Sequence, residues 1–509
     1  MTGRPLPATP AAADLRVPAW LALGKLLLHL PVLGRYGYHH DELYFLACGE
    51  HLSFGYVDHP PLVPWLARLA TTLFGQSLIG LRIFATLAGA VAVFLAGLLV
   101  RRMGGGRLAQ VVACVAMLIA PVYLRTGNLF CIPAFEPILW LLGSYLLVRI
   151  ADEDRPRLWP WVGVVAGLGL MTKHSMLLFG LGLVAGLALT PVRRHFREGW
   201  LYVAGGIAVV IFLPNLVWQA AHGWPTAVFL RGLNADVMSG ISLIQFLAGQ
   251  ILYLNPFTAP IWIAGLWFLL RGAAGRPYRI LGWLWLAPFA LLLLTGSKIY
   301  YLAPAYPALL AAGGIAWERL AARLGRPWLR PVLLGSLVLG GAALAPMSIP
   351  ILSIDATERY IGALTFGAFQ NVYELTGDLR GMFGWEERVR AVAEVYSSLP
   401  SEERDSAVIF GDSYGVAGAI DHFGRRHGLP KAMSFDMTYY LWSEPDRPIE
   451  VMITAGVDAE DLQPLFEEVH VAERIELANV NPWDREFIVT VCRRPKVPLR
   501  DVWARNRPW

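Results

Sequence analysis

The chain has 509 residues, of which 56% are hydrophobic and only 16% are charged, whereas soluble domains average about 25% charged residues. This composition excludes an ordinary soluble protein, because so much apolar surface must face lipid. The net charge of +5 is modest, and no basic stretch is interleaved with aromatic residues as a nucleic-acid groove requires. We therefore expect a membrane protein that does not bind nucleic acid.

Long apolar runs follow one another through residues 1–349. Each approaches the roughly 20 residues that cross a bilayer. The first is followed by Arg35-Tyr36-Gly37 and not by a small-residue cleavage site, so we expect a retained helix. The runs lie at about 17–34, 80–100, 108–124, 134–150, 158–172, 175–191, 200–218, 244–270, 280–296, 301–317 and 331–349. The sequence therefore predicts a mainly α-helical, polytopic protein with about eleven transmembrane helices.

The basic residues indicate the orientation of these helices. Alternate loops carry arginine clusters, and Arg4 and Arg16 precede the first run. Positive charge stays on the cytoplasmic side, which places the N-terminus inside the cell. An odd number of spans then places the first long loop, residues 35–79, and the tail, residues 350–509, outside the cytoplasm.

The tail differs in composition from the rest of the chain. Residues 408–410, 449–454, 471–477 and 487–491 are typical of strands, and residues 385–399 and 459–469 have helical periodicity. Alternating strands and helices predict a soluble α/β domain. We therefore divide the chain into a membrane domain, 1–349, and an extracytoplasmic domain, 350–509.

The first outer loop concentrates polar side chains at the membrane surface. It contains four carboxylates and four histidines: Asp41, Glu42, Glu50, Asp58, His39, His40, His51 and His59. Carboxylates beside apolar surface are costly unless paired, so they are candidates for function. Histidine and carboxylate side chains also bind zinc or manganese, which makes a divalent metal ion a candidate cofactor.

Further polar residues lie at the predicted outer ends of the helices. They include Arg82, Arg125, Asn128, Glu136, Lys173, His174, Lys298, Tyr300 and Tyr301. Each base alone is consistent with an anchor that reaches toward water. Together they predict a cationic patch around an anionic lipid headgroup, with Arg82, Lys173, Lys298 and Tyr301 as phosphate-binding residues.

Several of these residues form a pattern that resembles a known family. They are Asp41-Glu42 after the first span, the Asp58-His59-Pro60-Pro61-Leu62 motif, Lys173, and the Lys298–Pro307 stretch. This pattern resembles the GT-C membrane glycosyltransferases, in particular the family 39 and protein O-mannosyltransferase-like group that includes the lipid A aminoarabinose transferases. The resemblance covers about residues 20–350, and the tail is similar to the outer domain of many bacterial members.

The resemblance implies a reaction. Its members transfer a sugar, with inversion, from a polyprenyl phosphate to a glycan, lipid or protein acceptor at the outer membrane face. Asp41 then corresponds to the base, and Glu42 orients it or binds the acceptor. Asp58 stands where the aminoarabinose branch has a metal-binding glutamate, and His59 replaces that branch's lysine. Glu136 stands where members often carry an aspartate.

Other functions remain open on the sequence alone. A lipid transporter or flippase also carries charged groups and broken helices, although here these groups gather at one face. The Gly411-Asp412-Ser413-Tyr414 segment resembles an esterase motif, with His422 or His427 as a base, but it also fits a capped strand-to-helix turn. A third alternative is a membrane-anchored binding module with the tail as its receptor. Deleting the residues after about 350 would distinguish it from an enzyme, because an enzyme seated in the membrane would keep its site residues.

Overall fold

The computed structural model describes residues 14–233, 242–367, 372–446 and 449–509. Arg4, which contributes to the predicted orientation, lies outside these residues. The helices before the tail are α1 Arg16–His29, α2 His40–Glu50, α3 Leu62–Phe74, α4 Leu78–Arg102, α5 Arg107–Ile119, α6 Pro121–Thr126, α7 Glu136–Glu153, α8 Trp159–Thr172, α9 Met176–Ala188, α10 Gly199–Ala221, α11 Pro225–Leu233, α12 Leu243–Leu252, α13 Ala259–Leu270, α14 Arg279–Thr295, α15 Tyr306–Leu324 and α16 Leu329–Ser348.

Six helical segments in the described residues are long and apolar enough to cross a membrane, and the number rises to eight if each of two bent pairs is one span. The six are Leu78–Arg102, Ile132–Glu153, Gly199–Ala221, Arg276–Thr295, Ile299–Leu324 and Leu329–Ser348. The predicted count of about eleven is not confirmed. The predicted span 244–270, for example, is broken between α12 and Pro256, where its two halves bend by 86°.

The predicted outer loop contains two helices, α2 and α3. Helix α3 is amphipathic: Ala67 and Ala70 are buried, whereas Leu69, Leu73 and Phe74 are exposed. An exposed apolar stripe of this kind suits a helix lying at a membrane interface. The same loop thus provides both a surface helix and the helix that carries the Asp41-Glu42 pair.

The tail folds around a five-stranded sheet. Its strands are β1 Val408–Gly411, β2 Ala432–Met433, β3 Val451–Ala455, β4 Phe466–Glu476 and β5 Glu486–Pro495, and their order is β2-β1-β3-β5-β4. β1 pairs in parallel with β2 and β3, whereas β5 is antiparallel to β3 and β4. The helices are α17 Ile354–Leu364, α18 Val372–Arg380, α19 Trp385–Ser398, α20 Ser401–Ser406, α21 Tyr414–Phe423, α22 Tyr439–Trp442, α23 Ala459–Leu462 and α24 Leu499–Arg505.

Most predicted tail elements are present, with one correction. The prediction of a helix over 459–469 is wrong beyond Leu462, because residues from Phe466 onward form β4. β4 pairs with β5 through nearly its whole length, and this pairing outweighs the local helical periodicity. The domain boundary at 349/350 stays a prediction.

Helix α21 of the tail packs directly on α2 of the first loop. A β-carbon added at Gly418 would lie 3.1 Å from the backbone carbon of Leu43, and one added at Gly415 would lie 2.9 Å from Cβ of His40. Glycine at both positions therefore permits this close approach. Leu43 and Ile420 belong to the same buried apolar cluster, so the loop and the tail share a core.

Candidate active site

Asp41 lies in the first turn of α2, which is fixed by a cap. Nδ1 of His39 accepts a hydrogen bond from the Asp41 backbone nitrogen at 3.2 Å, and the Glu42 carboxylate accepts one from the His39 nitrogen at 2.9 Å. Burial, with the charges of His40, Arg125 and Arg82, holds the pKa of His39 well below its usual range, so its ring is neutral and accepts at Nδ1. The Asp41 side chain remains 37% exposed.

Glu42 and Arg82 form a completely buried ion pair. Nε and Nη2 of Arg82 each donate to the Glu42 carboxylate at 2.8 Å, and both side chains have no exposed surface. Glu42 also accepts from the Phe130 nitrogen at 3.0 Å, and Arg82 donates to the Leu33 carbonyl at 3.0 Å. The pair therefore joins the loop to α4, and this geometry gives no support to phosphate binding by Arg82 or to substrate contact by Glu42.

The tail supplies a direct partner to Asp41. The Tyr414 hydroxyl donates to Oδ1 of Asp41 at 2.9 Å. Burial and the negative charge of Asp41 raise the pKa of Tyr414 well above its usual value, so the hydroxyl keeps its proton and acts as the donor. The first turn of α2 thus meets the first turn of α21 through this bond.

Asp58 is held in a second contact between loop and tail. The Tyr44 hydroxyl donates to Oδ1 of Asp58 at 2.8 Å and lies 2.7 Å from the Thr438 hydroxyl. Thr438 Oγ1 also accepts from the Val57 nitrogen at 3.0 Å. Its neighbour His59 is 1% exposed and lies against the Pro60 carbonyl at 2.9 Å, so Asp58, at 20% exposed, is the more accessible residue of the motif.

Lys173 is engaged by neighbouring groups of the membrane domain. Its ammonium forms an ion pair with Glu136 at 3.1 Å, and Glu136 also accepts from the Ser175 hydroxyl at 2.5 Å. The same ammonium lies 5.2 and 4.7 Å from the ring centres of Tyr300 and Tyr301, within the range of cation–π attraction. Lys173, Glu136 and Tyr301 are therefore brought together as one cluster.

Lys298 differs from Lys173 in having an uncommitted ammonium. It forms no hydrogen bond or ion pair with any residue of the described ranges, and it is only partly buried. Burial and the charge of Lys173 lower the pKa of Lys298, and the charge of Asp41 opposes this change. Lys298 is thus the cation that is electrostatically linked to both Asp41 and the Lys173 cluster.

His39, His40 and Asp41 are the one group of three candidate metal ligands among the described residues. Their ligand atoms lie within 4.8 Å of one another. Asp58, the predicted candidate ligand, is not in this group. Because Nδ1 of His39 already accepts from the helix backbone, this nitrogen would have to leave the cap to bind a metal. A divalent cofactor therefore stays a prediction.

The esterase-like segment forms a helix cap. The Ser413 hydroxyl accepts from the Val416 nitrogen at 3.4 Å and begins α21. His422 lies at the other end of this helix, where its ring packs against Tyr38 at 4.6 Å. The capped strand-to-helix turn is therefore confirmed, and the geometry does not favour a serine hydrolase.

The sequence did not predict the roles of three residues of the site. Tyr414 contacts Asp41, Tyr44 contacts Asp58, and Thr438 contacts the Tyr44 hydroxyl. Tyr44 has a local signal, because it lies one helical turn after Asp41. Tyr414 and Thr438 have none, since they are more than 370 positions from the residues that they contact.

The sequence of this chain is similar to those of known sugar transferases. Residues 58–218 match the family model described as dolichyl-phosphate-mannose-protein mannosyltransferase. The undecaprenyl phosphate-α-4-amino-4-deoxy-L-arabinose arabinosyl transferase 1 of Pseudomonas fluorescens is 28% identical over 44% of this chain, and the chain spans only 42% of that relative. The transferase of the same name from Edwardsiella ictaluri is 26% identical over 70% of this chain and 71% of its own length.

A solved structure has the same fold. The crystal structure of ArnT from Cupriavidus metallidurans bound to undecaprenyl phosphate superposes with a TM-score of 0.64 at 16% identity, covering 94% of this chain and 98% of that one. These findings confirm the predicted resemblance and the predicted fold class, a multi-pass helical membrane protein with a small C-terminal α/β region.

Proposed function

We propose that this chain, a relative of the aminoarabinose transferases with their membrane fold, transfers a sugar from a polyprenyl phosphate to an acceptor hydroxyl, with inversion. One observation carries the proposal. The carboxylate of Asp41 is exposed, and the ammonium of Lys298, whose pKa the charge of Asp41 acts to raise, has no hydrogen bond or ion pair among the described residues. A base and a cation for a phosphate are the two groups that such a transfer needs.

Asp41 acts as the general base. Its carboxylate takes the proton of the acceptor hydroxyl while the acceptor oxygen forms a bond to the anomeric carbon. The bond between that carbon and the phosphate oxygen breaks on the opposite side, and its electron pair leaves with the lipid phosphate. A positioned base of this kind contributes about 10²–10⁴-fold to rate.

Lys298 stabilises the leaving phosphate. Negative charge grows on the phosphate oxygens as the bond breaks, and a cation in a partly dehydrated site lowers the energy of that charge. Lys173 adds positive charge beside Lys298, while Glu136 and Tyr301 keep its ammonium in place. The apolar helices provide the surface for the lipid tail, and Asp58 lies near the sugar or acceptor.

The reaction takes place on the outer side of the cytoplasmic membrane, with the N-terminus inside the cell. The arginine-rich loops support this orientation. In the structure these loops are tied to one another and to the N-terminal segment, for example by Arg102 to Glu153 at 2.8 Å and Arg107 to Asp14 at 2.8 Å. The acceptor is a glycan, a lipid or a protein.

The test is turnover of purified full-length protein in lipid nanodiscs with a panel of polyprenyl-phosphate sugars. We expect the release of lipid phosphate from at least one donor, and its loss in Asp41→Asn, which keeps the size of the side chain but removes the base. Glu460→Gln, an exposed tail position, is the matched control and keeps full turnover.

Two results would contradict the proposal. One is the absence of lipid phosphate from every donor when the protein is folded. The other is undiminished turnover by Asp41→Asn. Movement of lipid across the bilayer by the Asp41→Asn protein, without sugar transfer, would instead support a transporter.

A further inference from the structure

The first turn of α21 is built to present the Tyr414 hydroxyl at a fixed position. Ser413 caps the helix, and Oδ2 of Asp436 accepts from the Tyr414 backbone nitrogen at 3.0 Å. The Tyr414 ring packs against Tyr44, with 4.9 Å between ring centres, and against His40 at 5.8 Å. Backbone and ring are therefore both held, and only the hydroxyl remains to be satisfied.

The hydroxyl finds its acceptor in the other part of the chain. It lies 2.9 Å from Oδ1 of Asp41. An ionised carboxylate can only accept hydrogen bonds, so the direction of this bond is fixed. Bonds to a charged group are among the stronger ones in proteins, and this bond selects one orientation of the Asp41 side chain.

We propose that the C-terminal α/β region completes the active site, with Tyr414 as a positioning residue that orients the Asp41 carboxylate for proton transfer. This inference rests on the proposed function. Oδ1 already accepts from Tyr414, so Oδ2, which accepts no hydrogen bond among the described residues, is the oxygen that takes the acceptor proton. The tail thereby determines the geometry of a base carried by the membrane domain.

A second contact also connects a carboxylate of the first loop to the tail. The Thr438 hydroxyl contacts the Tyr44 hydroxyl, which in turn donates to Asp58. Asp41 directly, and Asp58 through Tyr44, therefore depend on tail residues for their orientation. Glu42, by contrast, is satisfied entirely by residues before the tail.

Other titratable groups also act on Asp41, and all of them remain when Tyr414 is substituted. They are His39 and His40 on its own helix, and Arg125, Cys131, Lys298 and Tyr300 from the membrane domain. Removal of the Tyr414 hydroxyl deletes one donor and no charge. A change in kcat can therefore be assigned to that bond.

The test is Tyr414→Phe, which keeps the ring and removes only the hydroxyl. We expect kcat to fall about 10-fold to 100-fold with little change in KM, because a bond to a charged group is lost. Tyr396→Phe, whose hydroxyl contacts the Arg404 carbonyl at 3.2 Å within the tail, is the control and should match the wild type.

The outcomes separate this inference from the proposed function. If wild-type protein turns over and Tyr414→Phe has the same kcat, the positioning role is overturned while the function stands. A fall in melting temperature with kcat and KM changed together would also overturn it, because the effect would then be structural. A wild-type protein that releases no lipid phosphate from any donor overturns both.

Discussion

Two adjacent carboxylates, Asp41 and Glu42, lie in opposite surroundings. Glu42 has no exposed surface and accepts from Arg82, His39 and Phe130. Asp41 is 37% exposed and its hydrogen bond from a side chain comes from Tyr414 in the tail. Consecutive residues of a helix point about 100° apart, so one side chain faces the interior of the loop and the other faces the tail.

The difference in hydrogen bonding suits one carboxylate to stabilising the fold and the other to a reaction with substrate. A carboxylate with all its acceptor sites filled by fixed donors has no capacity for a substrate proton. A carboxylate that retains an accessible oxygen does. Under the proposed function, the pair Asp41-Glu42 therefore divides into a residue that reacts and a residue that anchors the helix.

The largest expected effect is on turnover at the exposed member of the pair. Asp41→Asn should lower kcat by about 10²–10⁴-fold, because the amide cannot accept the proton, while the melting temperature stays within a few degrees of the wild type. Release of lipid phosphate and thermal unfolding in detergent measure the two quantities. A large loss of melting temperature would make Asp41 an anchoring residue like Glu42 and remove the contrast.

Substitution in the buried Glu42–Arg82 pair should instead lower the stability of the protein. Arg82→Met leaves the Glu42 carboxylate buried without its cation, and breaking such a pair costs about 3–5 kcal/mol. We expect a clear fall in melting temperature and in the yield of monodisperse protein. Arg193→Met, in an arginine-rich loop where the side chain is exposed, is the control. An Arg82→Met protein of normal stability but impaired donor binding would restore the predicted phosphate role of Arg82.

Lys298 and Lys173 allow the same comparison between a reacting and an anchoring residue among the cations. Lys298→Ala should lower kcat/KM by about 10-fold to 100-fold, because a charge-assisted contact to the phosphate is lost, with little change in stability. Lys496→Ala, whose ammonium bonds the Gln463 carbonyl in the tail, is the control. Lys173→Met should mainly destabilise the protein, because Glu136 loses its partner. Equal turnover by Lys298→Ala and wild type would contradict the phosphate assignment.

The smallest effect concerns an ion pair between loop and tail. Burial alone would raise the pKa of Glu50, but Lys431 at 2.7 Å and Arg425 lower it below its usual range. A lowered pKa in the folded state gives stability above the unfolded value, and this stability is lost as the pH falls through about 4. Because the bases are half-exposed, the contribution is at most about 1 kcal/mol and is screened by salt.

Melting temperatures of Glu50→Gln and wild type, measured from pH 7 to pH 3 at low and high salt, test this. We expect the difference at pH 7 and low salt to vanish at pH 3. A constant difference over the whole range would mean that the Glu50 charge makes no contribution, and Glu460→Gln provides the baseline.

The sequence identified the candidate residues but could not separate their proposed roles. The Asp41-Glu42 pair and the Asp58 motif fall in one loop, so their proximity follows from short separation along the chain. Arg82, Lys173 and Lys298 look alike as bases at helix ends, and only the fold shows that two of them are paired. Side-chain partners across a membrane bundle depend on helix packing, which composition and periodicity do not encode.

The tail illustrates the same limit. Its strands were predictable from β-branched runs, whereas Tyr414 has no local feature that points to Asp41, 373 positions earlier. The predicted count of spans was not confirmed for a related reason, since a sequence window does not distinguish one helix from two that bend at Asn255, where φ is +77°.

The glycines of α21 have a consequence for engineering. Because Gly415 and Gly418 lie against His40 and Leu43 without room for a side chain, the two regions meet as matched surfaces and not as modules joined by a linker. Deleting the tail would therefore uncover the apolar face of α2. A chimaera that exchanges tails between relatives should therefore function only when the first outer loop is exchanged with it.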